Sequence, residues 1–374
     1  MAAAPPLRVG IMGTAHIAGK VRRAIVAAGH VVAAIASRDA AKAAAWAAEA
    51  VASGDVPAPA PRAHGSYEAL LADAGVDAVY MPLPCGLHAR WVAAAAAAGK
   101  SVLVEKPAAA SAAELEAMLR ACRASGVALL DGTMFHFHPR QALIEAAVRD
   151  TARFGAVARV TSSFSFRGDE DFFANNIRTQ PALEPFGCLG DLGQYCIRFG
   201  LAVFAWELPA TVRAVAHRRN AAGVPLDLSA TFTWPSGGPD GGPRTLLVDC
   251  AFTQAFRQEA TVVGAKGWLR VDDFVISRTH ASCEFLLAHS PDLDAGHSNV
   301  VGDFTTVKSG GNQEAAMWRA FAERAAPGGA GFSAEWARMT LATQACLDAA
   351  MASAAKDGAE TRVEPPALLA ELIA

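Results

Sequence analysis

The sequence predicts an α/β protein in two parts: a parallel sheet with crossover helices, then an α+β domain built on an open, mainly antiparallel sheet. Three observations predict this. Strand-like and helix-like runs alternate through the first third, which is the pattern of a parallel sheet. Beyond Pro139 strand-like runs follow one another, as in an antiparallel sheet. The chain has 374 residues, more than one ordinary core holds. The expected division is 1–135 and 136–374, with the last helices packing back on the first part.

The elements follow in order. Leu7–Met12 reads as a strand leading into a helical Ile17–Ala28, and Val31–Ser37 as a second strand before the alanine-rich helix Ala40–Ala52. Residues 53–64, rich in Pro, Gly and Ala, read as a loop. Tyr67–Ala74 is expected helical, Val76–Met81 extended, His88–Ala98 helical and Ser101–Val104 extended, with a further helix Ala112–Ser125 and strand Ala128–Met134. In the second part the expected strands are Ala156–Phe166, Thr211–Arg219, Asp227–Trp234, Arg244–Thr253, Ala260–Val263 and Gly267–Val271. "WPSGGPDGGPR" (234–244) is a hairpin loop by its turn residues, and Ala334–Ala355 is a long closing helix.

Composition narrows the function classes. Charged residues make up 18% and the formal net charge is −3, with no basic run to suit nucleic acid or an anionic membrane. No apolar stretch has membrane-spanning length without interruption, and the segment before the first strand is too short for a signal peptide. Seven cysteines are scattered without zinc-like or CxxC spacing, which suits a reducing compartment. A soluble, cytoplasmic protein acting on a small molecule is expected.

Chemistry begins at "VGIMGTAHIAGK" (9–20). Gly13, Thr14, Ala15, His16, Ile17 and Ala18 form a G-x-A-x-x-A version of the dinucleotide fingerprint, placed after a strand and opening a helix. That is the context of a Rossmann domain, with Gly13 making the tight turn and the helix N-terminus facing a pyrophosphate. The plain alternative is a strand–helix turn with small residues for packing. Ser37 and Arg38 stand where an acidic residue would read a free ribose 2′-hydroxyl; a hydroxyl and a guanidinium suit a 2′-phosphate instead, so NADP is favoured over NAD.

Ligands of such a sheet gather at the carboxyl ends of its strands. "MPLPCGLH" (81–88) lies at one end, offering Pro82, Leu83, Pro84 and His88 to the cofactor, and "VLVEKP" (102–107) at the next, offering Glu105 and Lys106. Pro107 restricts the backbone of Lys106 and aims its ammonium into the cleft, where it can stabilise a developing alkoxide. A surface lysine at a strand end is the competing reading. In "GCLGDLGQYCIRFG" (187–200), Asp191 and Tyr195 are four apart and share a face if the segment is helical. A tyrosine with a nearby lysine is an acid–base arrangement, because the cation favours the phenolate.

The ordered set "GTAHIA", "ASRD", "YMPLPCGLHARW", "VLVEKP", "MFHFHP", "NIR", "GDLGQY", "GAKGWLRVDD" and "NQEAAMWRAFAE" resembles the Gfo/Idh/MocA oxidoreductases nearly end to end. Within them it is most similar to the branch of trans-dihydrodiol dehydrogenases and NAD(P)-dependent D-xylose and other aldose 1-dehydrogenases. The resemblance implies Lys106 and Tyr195 as the catalytic pair, supported by Asp191, and a homodimer through the second sheet. Ala15 replaces a glycine of the fingerprint, Cys85 stands where relatives commonly have asparagine, and "GCLG" where they often have three glycines.

His136 and His138 alternate by two on an expected strand and suggest a metal, but no third ligand follows at suitable spacing, and no metal is expected. His136 is instead expected to line a sugar pocket, and Asn176 and Arg178 to bind sugar hydroxyls, with a surface ion pair as the competing reading for Arg178. The leading expectation is oxidation of the anomeric hydroxyl of an aldose such as D-galactose or D-xylose to the aldonolactone. Oxidation of a trans-dihydrodiol is the alternative, given Phe135, Phe137, Phe164, Phe166, Phe172 and Phe173. A non-catalytic dinucleotide-sensing regulator is the alternative of another class; such proteins tend to lose the lysine or the tyrosine, and both are kept here.

Overall fold

The computed structural model describes residues 6–277, 283–293 and 300–373. In it the apolar run before Gly13 is β1 (Arg8–Met12), followed by α1 (His16–Ala27), β2 (Val31–Ala36), α2 (Ala40–Ala52), β3 (Arg62–His64) and α3 (Tyr67–Ala72). Then come β4 (Ala78–Met81), α4 (His88–Ala97), β5 (Ser101–Val104), α5 (Ala112–Ala124) and β6 (Leu129–Asp131). These six strands pair in the order β3-β2-β1-β4-β5-β6, and every pairing is parallel. β1, β2, β4, β5 and β6 are mostly buried, and for that reason they read as continuous apolar runs without alternation, while the edge strand β3 is largely exposed. Two expected boundaries move. The loop 53–64 ends in the edge strand β3, and the strand expected to reach Met134 stops at Asp131, where the chain turns into a short 3-10 helix, Met134–Phe137.

Local chemistry sets these elements. Asp39 caps α2, its Oδ1 accepting from the backbone N–H of Ala41 at 2.9 Å and of Lys42 at 3.2 Å. Ser66 and Ser111 cap α3 and α5 in the same way. Gly10 lets α3 approach β1: a Cβ there would stand 3.0 Å from side-chain atoms of Leu70 and Val76.

The remaining elements are α6 (Pro139–Arg149), β7 (Val157–Arg167), α7 (Glu170–Asn175), α8 (Gln194–Val203), β8 (Thr211–Arg219), β9 (Pro225–Trp234), β10 (Arg244–Ala251) and β11 (Thr253–Gly264). After them lie β12 (Gly267–Val271), β13 (Cys283–Leu293), β14 (Val300–Ser309), α9 (Gln313–Ala325), α10 (Ala334–Ala354), β15 (Thr361–Arg362) and α11 (Ala367–Ile373). β7 to β15 form one nine-stranded sheet in the order β14-β13-β12-β11-β7-β10-β9-β8-β15. It is antiparallel except where β7 runs parallel to β10. The segment expected as one strand, Arg244–Thr253, breaks at Phe252 into β10 and β11, and β9 and β10 form the expected hairpin with Arg244 opposite Trp234. α6, β13 and β14 were not expected; the helix follows directly on Pro139, which fills its first position.

Two compact units result. One comprises the described residues up to Phe137 with Asn312–Thr340 and the C-terminal stretch from Glu371; the other comprises those of His138–Gly311 and Leu341–Ala370. Inside the first, the buried Asp131 at the end of β6 accepts hydrogen bonds from the Thr133 hydroxyl and from the Thr340 hydroxyl of α10. Inside the second, the sheet carries α8 on one face, and β9 alternates: Leu228, Ala230, Phe232 and Trp234 are buried, while Ser229, Thr231 and Thr233 are partly exposed. All seven cysteines are buried free thiols. No helix among the described residues is long and apolar enough to cross a membrane.

Candidate active site

In the first unit the chemistry-bearing residues follow directly on strand tips. β4, β5 and β6 end level, Met81 pairing with Val104 and Val104 with Asp131. Gly13 leaves β1 at φ +108°, its N–H bonded to Ala36 O at 2.8 Å. A Cβ on Gly13 would stand 3.3 Å from Leu83, so the turn after β1 and the loop after β4 meet closely at this point. Ala15 flanks α1 without any side-chain cap, so no protein side chain at that position satisfies the first amides of the helix. This bare backbone turn fits a pyrophosphate. Thr14 and Ala15 are partly exposed, and His16 and Ile17 exposed, in the first turn. Ser37 is buried at the tip of β2, its hydroxyl accepting from Asp39 N at 3.2 Å, while Arg38 is exposed. Burial raises the Tyr67 pKa, and the Arg38 charge opposes it, which sets the guanidinium near that phenol.

Pro82 and Leu83 are buried, Pro84 less so, and Cys85 is fully buried in the short turn that leads into α4. His88 requires a correction. It is buried between two backbone carbonyls, with Nε2 2.8 Å from Leu83 O and Nδ1 3.0 Å from Ala108 O, and its single N–H in the neutral ring donates to one of them. It therefore packs between the loop after β4 and the loop after β5 as a brace, and its burial takes it out of reach of a cofactor.

Glu105 and Lys106 are half-buried, and the Lys106–Pro107 peptide bond is cis. Glu105 Oε1 accepts from the Tyr80 hydroxyl at 2.7 Å, and Oε2 accepts from Lys106 N–H at 3.3 Å. Tyr80 was missed by the sequence reading. Its signal was legible: a phenol in a strand buried on both faces needs a partner for its hydroxyl.

In the second unit the segment 187–200 departs from the regular helix expected. Leu189–Gly193 is one wide π-type turn, closed by the Gln194 N–H bonding Leu189 O, before α8 begins. Asp191 and Tyr195 therefore lie on either side of a change of helical pitch, not on one uniform face. The cause is close approach to β10: a Cβ on Gly193 would be 2.9 Å from Cys250 Sγ, and one on Gly200 would be 2.5 Å from Leu246. Gly187 opens the segment at φ +52°, and a Cβ there would stand 2.3 Å from Pro225 O. Tyr195 is 5% exposed and packs against Phe164 at a centroid distance of 5.8 Å. Phe166, Phe172 and Phe252 form a cluster with centroids 5.1–5.3 Å apart.

The polar residues expected to meet a sugar mainly meet one another. Arg178 Nε pairs with Asp191 Oδ1 at 2.8 Å. The Asp191 charge is the chief cause that raises the Arg178 pKa, and Tyr195 adds to it, so this guanidinium lies near both residues. Asn176 Oδ1 accepts from Arg178 N–H at 3.1 Å and caps the turn Ile177–Thr179. Its amide oxygen thus positions Arg178. The two histidines of "MFHFHP" do not alternate on a strand: His136 lies in the 3-10 helix, packed on Phe137, and His138 caps α6, its Nδ1 accepting from Arg140 N–H at 3.0 Å. Among the described residues no three His, Cys, Asp or Glu side chains are grouped to hold a metal ion.

A family model described as "Oxidoreductase family, NAD-binding Rossmann fold" matches residues 7–133. The chain is 42% identical to D-xylose 1-dehydrogenase (NADP(+)) 2 of Haloferax volcanii, over 67% of this chain and 73% of that one. It is 30% identical to trans-1,2-dihydrobenzene-1,2-diol dehydrogenase of Sus scrofa, over 65% and 70% of the two chains. Among solved structures, an aldose-aldose oxidoreductase from Caulobacter crescentus complexed with glycerol superposes with a TM-score of 0.78 at 22% identity, covering 96% of this chain and 100% of that one. A 3-ketoreductase from Actinomadura kijaniata with NADP and TDP-benzene gives 0.76 at 24% identity, covering 93% and 98%.

The His88 brace is testable through stability. Burial holds the His88 pKa below its ordinary value of 6.5, and the carbonyls only partly oppose that. As pH falls below about 6.5 the unfolded chain takes up protons first, so stability is full above that pH and declines below it. His88→Ala is expected to cost about 1–3 kcal/mol at pH 7.5, because a buried carbonyl loses its donor and the ring leaves a gap. It should also reduce the drop in stability between pH 7.5 and 5.5, without abolishing it, since the partly buried His30 has a lowered pKa too. Urea melts at the two pH values measure both; an unchanged midpoint and an unchanged pH drop would refute the brace.

Proposed function

The chain belongs to the Gfo/Idh/MocA oxidoreductase family, and from that premise we propose that it oxidises the anomeric hydroxyl of an aldose, D-xylose or D-galactose in type, to the aldonolactone. It is a sugar oxidoreductase that uses a nicotinamide dinucleotide. The observation that carries the finer reading is the 42% identity to an NADP-dependent D-xylose 1-dehydrogenase across 73% of that protein.

The residues take distinct roles in this reading. The turn at Gly13, with Thr14, Ala15, His16 and Ile17, receives the pyrophosphate, and Ser37 and Arg38 read the adenosine end. When bound, NADP supplies the two-electron oxidant. Tyr195 takes the proton of the anomeric hydroxyl, and the Lys106 ammonium stabilises the oxygen as charge develops on it. Arg178, held by its ion pair with Asp191, stands by to orient the sugar hydroxyls beside the phenol. The proton leaves to solvent, and the sugar ring gains a carbonyl at its anomeric carbon.

A second reading, oxidation of a trans-dihydrodiol, is favoured by one observation: Phe164 packs directly against Tyr195, which suits a flat, apolar substrate. The reading also includes a homodimer formed through the partly polar face of the nine-stranded sheet, and a cytoplasmic location suited to seven free thiols.

An initial-rate screen tests the assignment: D-xylose, D-galactose, D-glucose and trans-1,2-dihydrobenzene-1,2-diol, each with NAD and NADP. The expected outcome is fastest NADPH formation with D-xylose or D-galactose. A dihydrodiol rate tens of times above every aldose would transfer the assignment to the second reading, and no turnover on the panel would end both. Arg38→Ala is expected to weaken NADP by about tenfold or more and NAD little, because only NADP carries a 2′-phosphate for the guanidinium to grip. Fluorescence titrations measure this; equal losses would mean that Arg38 packs on the adenine and reads no phosphate.

A further inference from the structure

We propose that Tyr80 is a positioning residue for Lys106, acting through the carboxylate of Glu105; the inference rests on the catalytic role given to Lys106 above. Tyr80 lies on β4, the strand beside β5, and is wholly buried. Its ring packs edge-on against Trp318 of α9, with centroids 6.0 Å apart, and Trp318 packs edge-on against Phe321 at 5.5 Å. Both indole and phenol are thereby fixed in place by the core. The one polar atom of Tyr80 emerges at the tip of the sheet and donates to Glu105 Oε1 at 2.7 Å.

Glu105 is fixed from three directions. Its backbone N–H bonds Met81 O at 3.1 Å, which continues the β4–β5 register by one residue. Its Oε2 accepts from the N–H of Lys106 at 3.3 Å, so the carboxylate holds the backbone of the next residue. Gly132, just past β6, supplies the room: a Cβ there would stand 3.1 Å from Oε1 and 3.3 Å from the carboxyl carbon and Oε2. A Cβ at this position would require the carboxylate to shift by a few tenths of an ångström. A rigid aromatic pair, a phenol, a carboxylate and a backbone amide therefore form one continuous chain that ends at Lys106. The short charge-assisted bond from Tyr80 sets where the carboxylate sits, and the carboxylate sets where Lys106 leaves the strand. A displacement of about 1 Å at a catalytic group is enough to slow chemistry by orders of magnitude.

This explains two residue choices that dinucleotide binding leaves unexplained. A phenylalanine at position 80 would fill the same space against Trp318, and an alanine at position 132 would suit a strand tip. Each would remove or crowd the Glu105 contact.

The test compares Tyr80→Phe, Glu105→Gln, the double variant and Gly132→Ala with wild type, using D-xylose and NADP. Active-site concentration comes from NADPH fluorescence titration, so loss of folded enzyme does not count as loss of rate. Tyr80→Phe is expected to lower kcat about tenfold, the loss of one hydrogen bond to a charged group, with the KM for D-xylose and the Kd for NADP changed less than about threefold. The double variant should be no slower than Glu105→Gln alone, because both act through one contact, whereas independent structural roles would multiply. Gly132→Ala should reproduce the kcat loss with Tyr80 intact. Wild-type kcat in Tyr80→Phe, or multiplicative losses in the double variant, would overturn the inference alone. Failure of the wild-type enzyme to reduce NADP with any aldose would overturn the functional reading and this inference with it.

Discussion

The level ending of parallel strands is the constraint on which the first unit depends. Parallel hydrogen bonding sets Ile11 beside Tyr80, Met81 beside Val104 and Val104 beside Asp131. Gly13, Pro82, Glu105 and Gly132 therefore all come next after a strand tip and share one edge of the sheet. No helix macrodipole or side-chain cap produces this alignment; it follows from register, and a slip of one residue would turn every strand side chain to the other face. The sheet itself is held by apolar burial on both faces, so its edge is free to carry glycines, prolines and a half-buried lysine, which contribute little to the core.

The second unit reaches its arrangement by the opposite means. There a helix is drawn so close to a sheet that side chains must be deleted at Gly187, Gly193 and Gly200. The widened turn at Leu189–Gly193 is the adjustment that lets Asp191 face Arg178 while Tyr195 packs on Phe164. Turns of this kind recur at functional sites because they re-aim side chains without ending the helix. The aromatic cluster of Phe166, Phe172 and Phe252 and the ion pair of Arg178 with Asp191 give this unit both apolar and polar groups around the segment that carries Tyr195.

The sequence made the parallel half largely legible. Apolar runs of four to six residues alternating with helical stretches mark buried strands and crossovers, and local pattern alone decides them. It was less informative where tertiary contacts decide. That His88 would be buried between the carbonyls of Leu83 and Ala108 depends on two loops brought together by the sheet, and nothing local in "GLHAR" signals it. The spacing of Asp191 and Tyr195 read as an ordinary helix because the pitch change comes from β10, which lies fifty residues further on. An ion pair for Arg178 was foreseeable, but its partner Asp191 and the bond from Asn176 depend on a turn too short to leave a pattern. Tyr80 is the exception: the need of a buried phenol for a partner was visible, and only the partner was not.

The central claim is that the lysine at the tip of β5 performs chemistry and does not hold the cofactor. Single-turnover rates of NADPH formation in Lys106→Met, measured with saturating NADP and D-xylose beside an NADP titration of the same protein, test it most directly. The account predicts a rate lower by roughly 10²–10⁴, the range of a lost acid–base group, with NADP affinity little changed. A rate near that of wild type, or a loss explained wholly by weaker NADP binding, would contradict it.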